Sequence, residues 1–140
     1  MKRSKSFLLA NILATLYTAY LLWTIGGAVV EAGGAEYVEA IRTYFELVFD
    51  ILGLDSPAVT LLYTLLILIC VHIAAFAVGC LIGWIAYARK KSGGAKFAAT
   101  LYLLGAICFP VYLLFGLPIA IIGFVGGSKQ KKINDSATLL

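Results

Sequence analysis

From residue 58 to residue 91 the chain reads AVTLLYTLLILICVHIAAFAVGCLIGWIAYARKK, and no Asp, Glu, Lys or Arg interrupts it before Arg89. An uncharged apolar run of this length is stable in lipid rather than in water. As a helix rising about 1.5 Å per residue, residues 58–88 reach about 46 Å, beyond the ~30 Å hydrocarbon core, so this helix must tilt or protrude. Trp84 and Tyr87 stand beside the basic residues, where interfacial aromatics belong.

Two further apolar segments lie on either side, at about residues 7–30 and 97–125. All of the 11 Lys and Arg except Arg42 flank these runs: Lys2, Arg3 and Lys5; Arg89, Lys90, Lys91 and Lys96; Lys129, Lys131 and Lys132. The acids Glu31, Glu36, Glu39, Glu46, Asp50 and Asp55 gather in the polar insertion between the first two segments. The positive-inside rule then puts the N-terminus and the 89–96 loop in the cytoplasm and the insertion outside. The chain is 62% apolar and 13% charged, against about 45–50% and about 25% for soluble domains. This composition predicts an all-α integral membrane helical bundle forming a single domain over residues 1–127, with a solvated polar tail at 128–140. The first run, about 24 residues, exceeds a signal-peptide h-region and reads as a retained anchor. The juxtamembrane placement of the cations points to topology and anionic headgroups, not nucleic acid.

In the insertion, Gly33-Gly34 reads as a joint. Val38, Ile41, Phe45, Val48 and Leu52 recur at helical spacing, with Glu36, Glu39, Glu46 and Asp50 on another face. This pattern predicts an amphipathic helix over about residues 35–52, lying at the outer interface or against the bundle top. Ser56-Pro57 supplies a cap and a first helical residue for the second span. The third segment contains Pro110 and Pro118 and allows two paths. One kinked helix would cross fully but leave Lys129, Lys131 and Lys132 outside. A re-entrant hairpin bent near Pro110–Pro118 would return them to the cytoplasm, on arms of only about 12–15 residues that need protein cover. Length favours the kinked span and charge the hairpin; the balance falls narrowly to the kinked span.

Small residues recur at close-packing spacing: Ala75, Gly79 and Gly83 on the second span, and Gly116, Ala120, Gly123 and Gly127 on the third. Such seams let helix backbones approach within a bundle or between subunits of an oligomer. The candidate intramembrane polar site is His72 with Asn11, Thr15, Thr18 and Tyr112. An ionisable group at this depth is a functional candidate, as a proton-sensitive gate or an axial ligand. With no second histidine or intramembrane carboxylate, a metal or haem is not expected, and the favoured role is a neutral imidazole bonded to Thr18 or Tyr112. The acidic face Glu36, Glu39, Glu46 and Asp50 lacks a Ca²⁺-loop signature and reads as solvated or as a dock for a basic partner. Cys70, Cys80 and Cys108 lie in apolar runs without C-x-x-C spacing, so neither a disulfide framework nor a zinc site is indicated. No motif for a hydrolase, a nucleotide-binding protein or a metalloenzyme occurs, and no catalytic residue or cofactor is expected.

Ser4–Tyr17, SKSFLLANILATLY, and Leu101–Gly126, LYLLGAICFPVYLLFGLPIAIIGFVG, resemble a group of small uncharacterised bacterial multi-span membrane proteins. The resemblance implies a bacterial inner-membrane location and no particular activity. The expected function is a non-enzymatic interaction or accessory protein, regulatory or immunity-type, that grips another membrane protein, or itself as a homo-oligomer, through the small-residue seams, or a ligand through the acidic helix. The alternative is an oligomeric channel or small transporter lined by Asn11, Thr15, Thr18 and His72. A membrane lipid enzyme stands third.

Overall fold

A computed structural model of the chain describes residues 3–31, 35–51 and 57–138. Gly33-Gly34, Leu52 and the Ser56 cap lie outside them, as do the side chains of Val38, Ile41, Phe45 and Val48. The elements run α1 (Lys5–Leu21), a π turn (Leu22–Gly26), α2 (Gly27–Glu31), α3 (Ala35–Ile51), α4 (Pro57–Ala88), α5 (Ser92–Cys108), a 3₁₀ turn (Pro110–Tyr112) and α6 (Leu113–Thr138). Among the described residues there is no strand, and the fold is an all-α bundle. Among the described residues three stretches are long and apolar enough to cross a membrane: Lys5–Gly26, Ile67–Ala88 and Pro110–Ala137. A third or less of each is buried by protein. Leu16, Trp23, Leu81, Val111 and Leu114 are among the large apolar side chains left outside, more than a water-soluble chain tolerates.

The third apolar segment is not one kinked helix. Phe109 sits at φ −133° and ψ 86°, outside the helical region, because the ring of a following proline disfavours helical geometry in the residue before it. Pro110 also lacks the N–H that would have continued α5. The chain reverses there, and α6 returns antiparallel to α5, with Gly116 against Ala106, Gly123 against Ala99 and Gly127 against Ala95. Pro118, by contrast, is carried inside α6. The charge argument therefore outweighed the length argument.

The other interfaces are antiparallel too. Gly79 of α4 faces Tyr102 of α5, Gly83 faces Asn11 of α1, and Gly126 of α6 lies against the Phe7 backbone of α1. Both small-residue seams are thus filled from within the chain. The core they enclose holds Ala14, Tyr17, Leu21, Phe76, Ala98, Tyr102, Ile119 and Ala120. The start of α1, the end of α4, the start of α5 and the end of α6 meet at one end, which carries every described Lys and Arg except Arg42. α3 lies at the other end and touches the bundle through α4.

The expected solvated tail is helix up to Thr138, with Gln130 buried. Gln130 Oε1 accepts the Ser4 N–H at 2.9 Å, and Gln130 Nε2 donates to Asn134 Oδ1 at 2.9 Å. Asn134 Nδ2 in turn donates to the Lys90 carbonyl at 2.8 Å. This ladder ties the start of α1 to the end of α6 and the α4–α5 turn.

A methyl group on Gly126 would lie 2.6 Å from the Phe7 backbone, whereas one on Gly93 would meet nothing within 4 Å. Gly126→Ala is expected to cost about 1–3 kcal/mol by forcing α1 from α6, and Gly93→Ala to be neutral or mildly stabilising; unfolding in detergent micelles compares them. The hairpin also requires cysteines placed at Ser6 and Ser136, in a background without native cysteines, to react with an impermeant reagent from the same side of a vesicle.

Candidate functional site

His72 is fully buried where α1, α4 and the α5–α6 turn meet. Its Nδ1 lies 2.7 Å from the Gly105 carbonyl oxygen and its Nε2 lies 2.9 Å from the Tyr17 hydroxyl. A carbonyl can only accept, so Nδ1 carries the proton. In the neutral ring Nε2 is then an acceptor, and the Tyr17 O–H donates to it. Both ring nitrogens thus have partners, as buried polar atoms require. The imidazole bonds across helices, but to the Gly105 carbonyl and the Tyr17 hydroxyl rather than to Thr18 or Tyr112. Thr18 Oγ1 is buried without a hydrogen-bond partner, and Tyr112 stacks on the imidazole at 5.9 Å and 24°. Phe76 and Phe109 close the remaining sides at 5.1 and 5.9 Å.

The location of this cage explains its composition. Gly105 contributes its carbonyl one turn before the break and also accepts the Phe109 N–H at 3.3 Å. α5 has 17 residues, about 25 Å, so its end falls about midway along the 32-residue α4. Irregular backbone at such a depth is stable only when protein covers it. His72 and Tyr112 cover its inner side, where His72 holds the Gly105 carbonyl, while Pro110 and Val111 stay exposed on the outer side.

Asn11 and Thr15 form a second polar node nearer the basic end. Asn11 Nδ2 donates to the Gly83 carbonyl at 3.1 Å. Thr15 Oγ1 donates to the Asn11 carbonyl at 2.7 Å, accepts from Trp84 Nε1 at 2.8 Å and lies 3.2 Å from Cys80 Sγ. Asn11 Oδ1 and the Tyr102 hydroxyl, both buried and without a partner, face the same backbone: a methyl group on Gly83 would meet them at 2.5 and 3.1 Å. The structure therefore divides the polar set. His72 and Tyr112 lie in one cage, Asn11 and Thr15 in another, and Thr18 bonds to neither.

The acidic residues Glu36, Glu39, Glu46 and Asp50 are exposed on α3. Arg42 lies among them, 2.8 Å from Glu46 and 3.8 Å from Glu39. Ion pairs this exposed contribute about 0–1 kcal/mol, so they shape the charge pattern more than the stability. Among the described residues no three His, Cys, Asp or Glu side chains group as metal ligands. Comparison with protein-family models, curated proteins and solved structures returned no match.

Sequence reasoning missed Tyr17, Tyr102, Gln130 and Asn134. The signal for the last two was present. The seam Gly116, Ala120, Gly123, Gly127 continues at the same spacing into Gln130 and Asn134, so the helix did not have to end where the apolar run does.

His72→Ala opens a cavity and orphans the Gly105 carbonyl and the Tyr17 hydroxyl, for an expected loss of about 2–4 kcal/mol. Tyr17→Phe removes one bond and should cost about 1 kcal/mol. Unfolding in micelles reads both, and ¹⁵N chemical shifts of His72 should report the Nδ1–H tautomer.

Proposed function

We propose that the protein acts by binding rather than by catalysis. In this reading it is a multi-pass interaction protein of the accessory, regulatory or immunity type in a bacterial cytoplasmic membrane, with its basic end inside and α3 outside. The observation that carries this reading is the internal use of both small-residue seams. With Ala75, Gly79 and Gly83 packed against α1 and α5, and Gly116, Ala120 and Gly123 against α5, the bundle is a self-contained anchor. A partner gripped through those seams, or a homo-oligomer built on them, would have to displace the chain's own helices. α3 then becomes the recognition element. It offers Glu36, Glu39, Glu46 and Asp50 beside exposed Tyr44 and Leu47. This mixture suits a basic segment of another membrane protein, held by long-range attraction and fixed by an aromatic contact.

One observation favours a second reading, the channel. Asn11 Oδ1, Thr18 Oγ1 and Tyr102 Oη are buried polar atoms without partners, and water entering the bundle could satisfy them. In that reading the path runs inside one bundle, past Asn11, Thr18 and His72, rather than between subunits, and leaves the exposed Thr15 outside it.

The two readings separate in one set of measurements. A photo-crosslinker at Tyr44 or Leu47 should capture one defined protein, and replacing Glu36, Glu39, Glu46 and Asp50 with Lys should abolish the capture. A crosslinker at lipid-facing Leu81 should not capture it. Ion currents from the purified chain in planar bilayers that disappear with Asn11→Ala or His72→Ala would displace the binding reading in favour of the channel.

A further inference from the structure

At the basic end the α4–α5 turn and the last turns of α6 enclose an open pocket of about 480 Å³. Its walls are Arg89, Lys90, Lys91, the backbone of Ser92–Gly94, and Asn134. Orientation alone requires only that cations be present on this side of a membrane. Here three of them converge on one concavity whose shape is fixed.

Three features fix it. Lys91 N–H bonds to the Ala86 carbonyl at 2.9 Å and Lys90 N–H to the Tyr87 carbonyl at 3.3 Å, the paired bonds of a Schellman turn. Lys90 takes the left-handed corner at φ 56°, a position usually held by glycine. Asn134 clamps the Lys90 carbonyl from α6, braced by Gln130.

A second observation says how the ligand arrives. Val78, Leu81 and Ile85 are 47%, 66% and 54% exposed, and with Arg89 they line one face of α4 at helical spacing. Trp84 and Tyr87 mark the interface just below the pocket. An apolar track leading into a cationic cup has the shape of a phospholipid. Acyl chain would lie along Val78–Leu81–Ile85, and the phosphate would rise among Arg89, Lys90 and Lys91. A free phosphate would use the cup but not the track.

We propose that this pocket binds the phosphate of an anionic phospholipid from the leaflet at the basic end, with the chain of that lipid on the exposed face of α4. The test is a titration of the purified full chain, in phosphatidylcholine nanodiscs, with short-chain phosphatidylglycerol, short-chain phosphatidylcholine and inorganic phosphate. Phosphatidylglycerol should bind tightest. Arg89→Gln, Lys90→Gln and Lys91→Gln together should weaken it at least about tenfold, since each juxtamembrane cation is worth roughly fivefold. Lys131→Gln with Lys132→Gln should weaken it less per charge removed than the pocket substitutions do, because those two lysines act only through the general surface field. Asn134→Ala should weaken binding without altering charge. Lys90→Gly should weaken it while easing the left-handed turn, so it reports on the pocket even where the triple variant does not fold. Equal losses per charge in the pocket and at Lys131/Lys132 would overturn the proposal in favour of general surface attraction. So would inorganic phosphate or phosphatidylcholine binding as tightly as phosphatidylglycerol, or Asn134→Ala without effect.

Discussion

Hydrocarbon offers no partner for a bare N–H or C=O, and the break at Phe109–Pro110 puts irregular backbone where helices alone would be safe. The rest of the bundle can be understood from how that break is covered. His72 reaches from α4 to the Gly105 carbonyl and receives the Tyr17 hydroxyl from α1, so one side chain joins three segments at the weakest point of the backbone. A neutral imidazole suits this place because it donates on one side and accepts on the other without placing a charge in the interior.

Covering the turn requires helices close enough for their side chains to reach it. In lipid, close approach comes from shape rather than from expulsion of water. Glycine and alanine provide it at each interface: Gly79 admits the Tyr102 ring, Gly105 admits Phe76, and Gly126 brings α6 onto the Phe7 backbone. Tyr102, Phe76 and Phe7 face inward where a glycine opposes them. The bulky remainder, Leu16, Trp23, Leu81 and Leu114 among them, faces outward.

The two ends differ in chemistry. At the basic end the Ser4–Gln130–Asn134–Lys90 ladder joins three chain segments and gives the cations a fixed surface. At the other end, α3 reaches the bundle through α4 and holds its carboxylates in solvent around Arg42.

The sequence by itself determined the solvent, the three long apolar elements, the acidic helix between the first two, and the gathering of cations at segment ends. These follow from composition and periodicity, which act residue by residue. Even the hairpin was visible in the placement of Lys129, Lys131 and Lys132, though segment length argued against it. Tertiary structure alone decided the partners. Tyr17 rather than Thr18 meets His72 because the rotation of α1 about its axis is set by Phe7, Ala10, Ala14 and Leu21 filling the interior, not by the polarity of either residue. The small-residue seams were legible, but whether they faced inward or a second subunit was not. That depended on the reversal at Phe109–Pro110, which brings α6 back onto α5 and α1. The continuation of α6 past Gly127 was legible in the spacing of Gly123, Gly127, Gln130 and Asn134, but its docking was not: Gln130 meets the Ser4 N–H, a contact across most of the chain that no local pattern encodes.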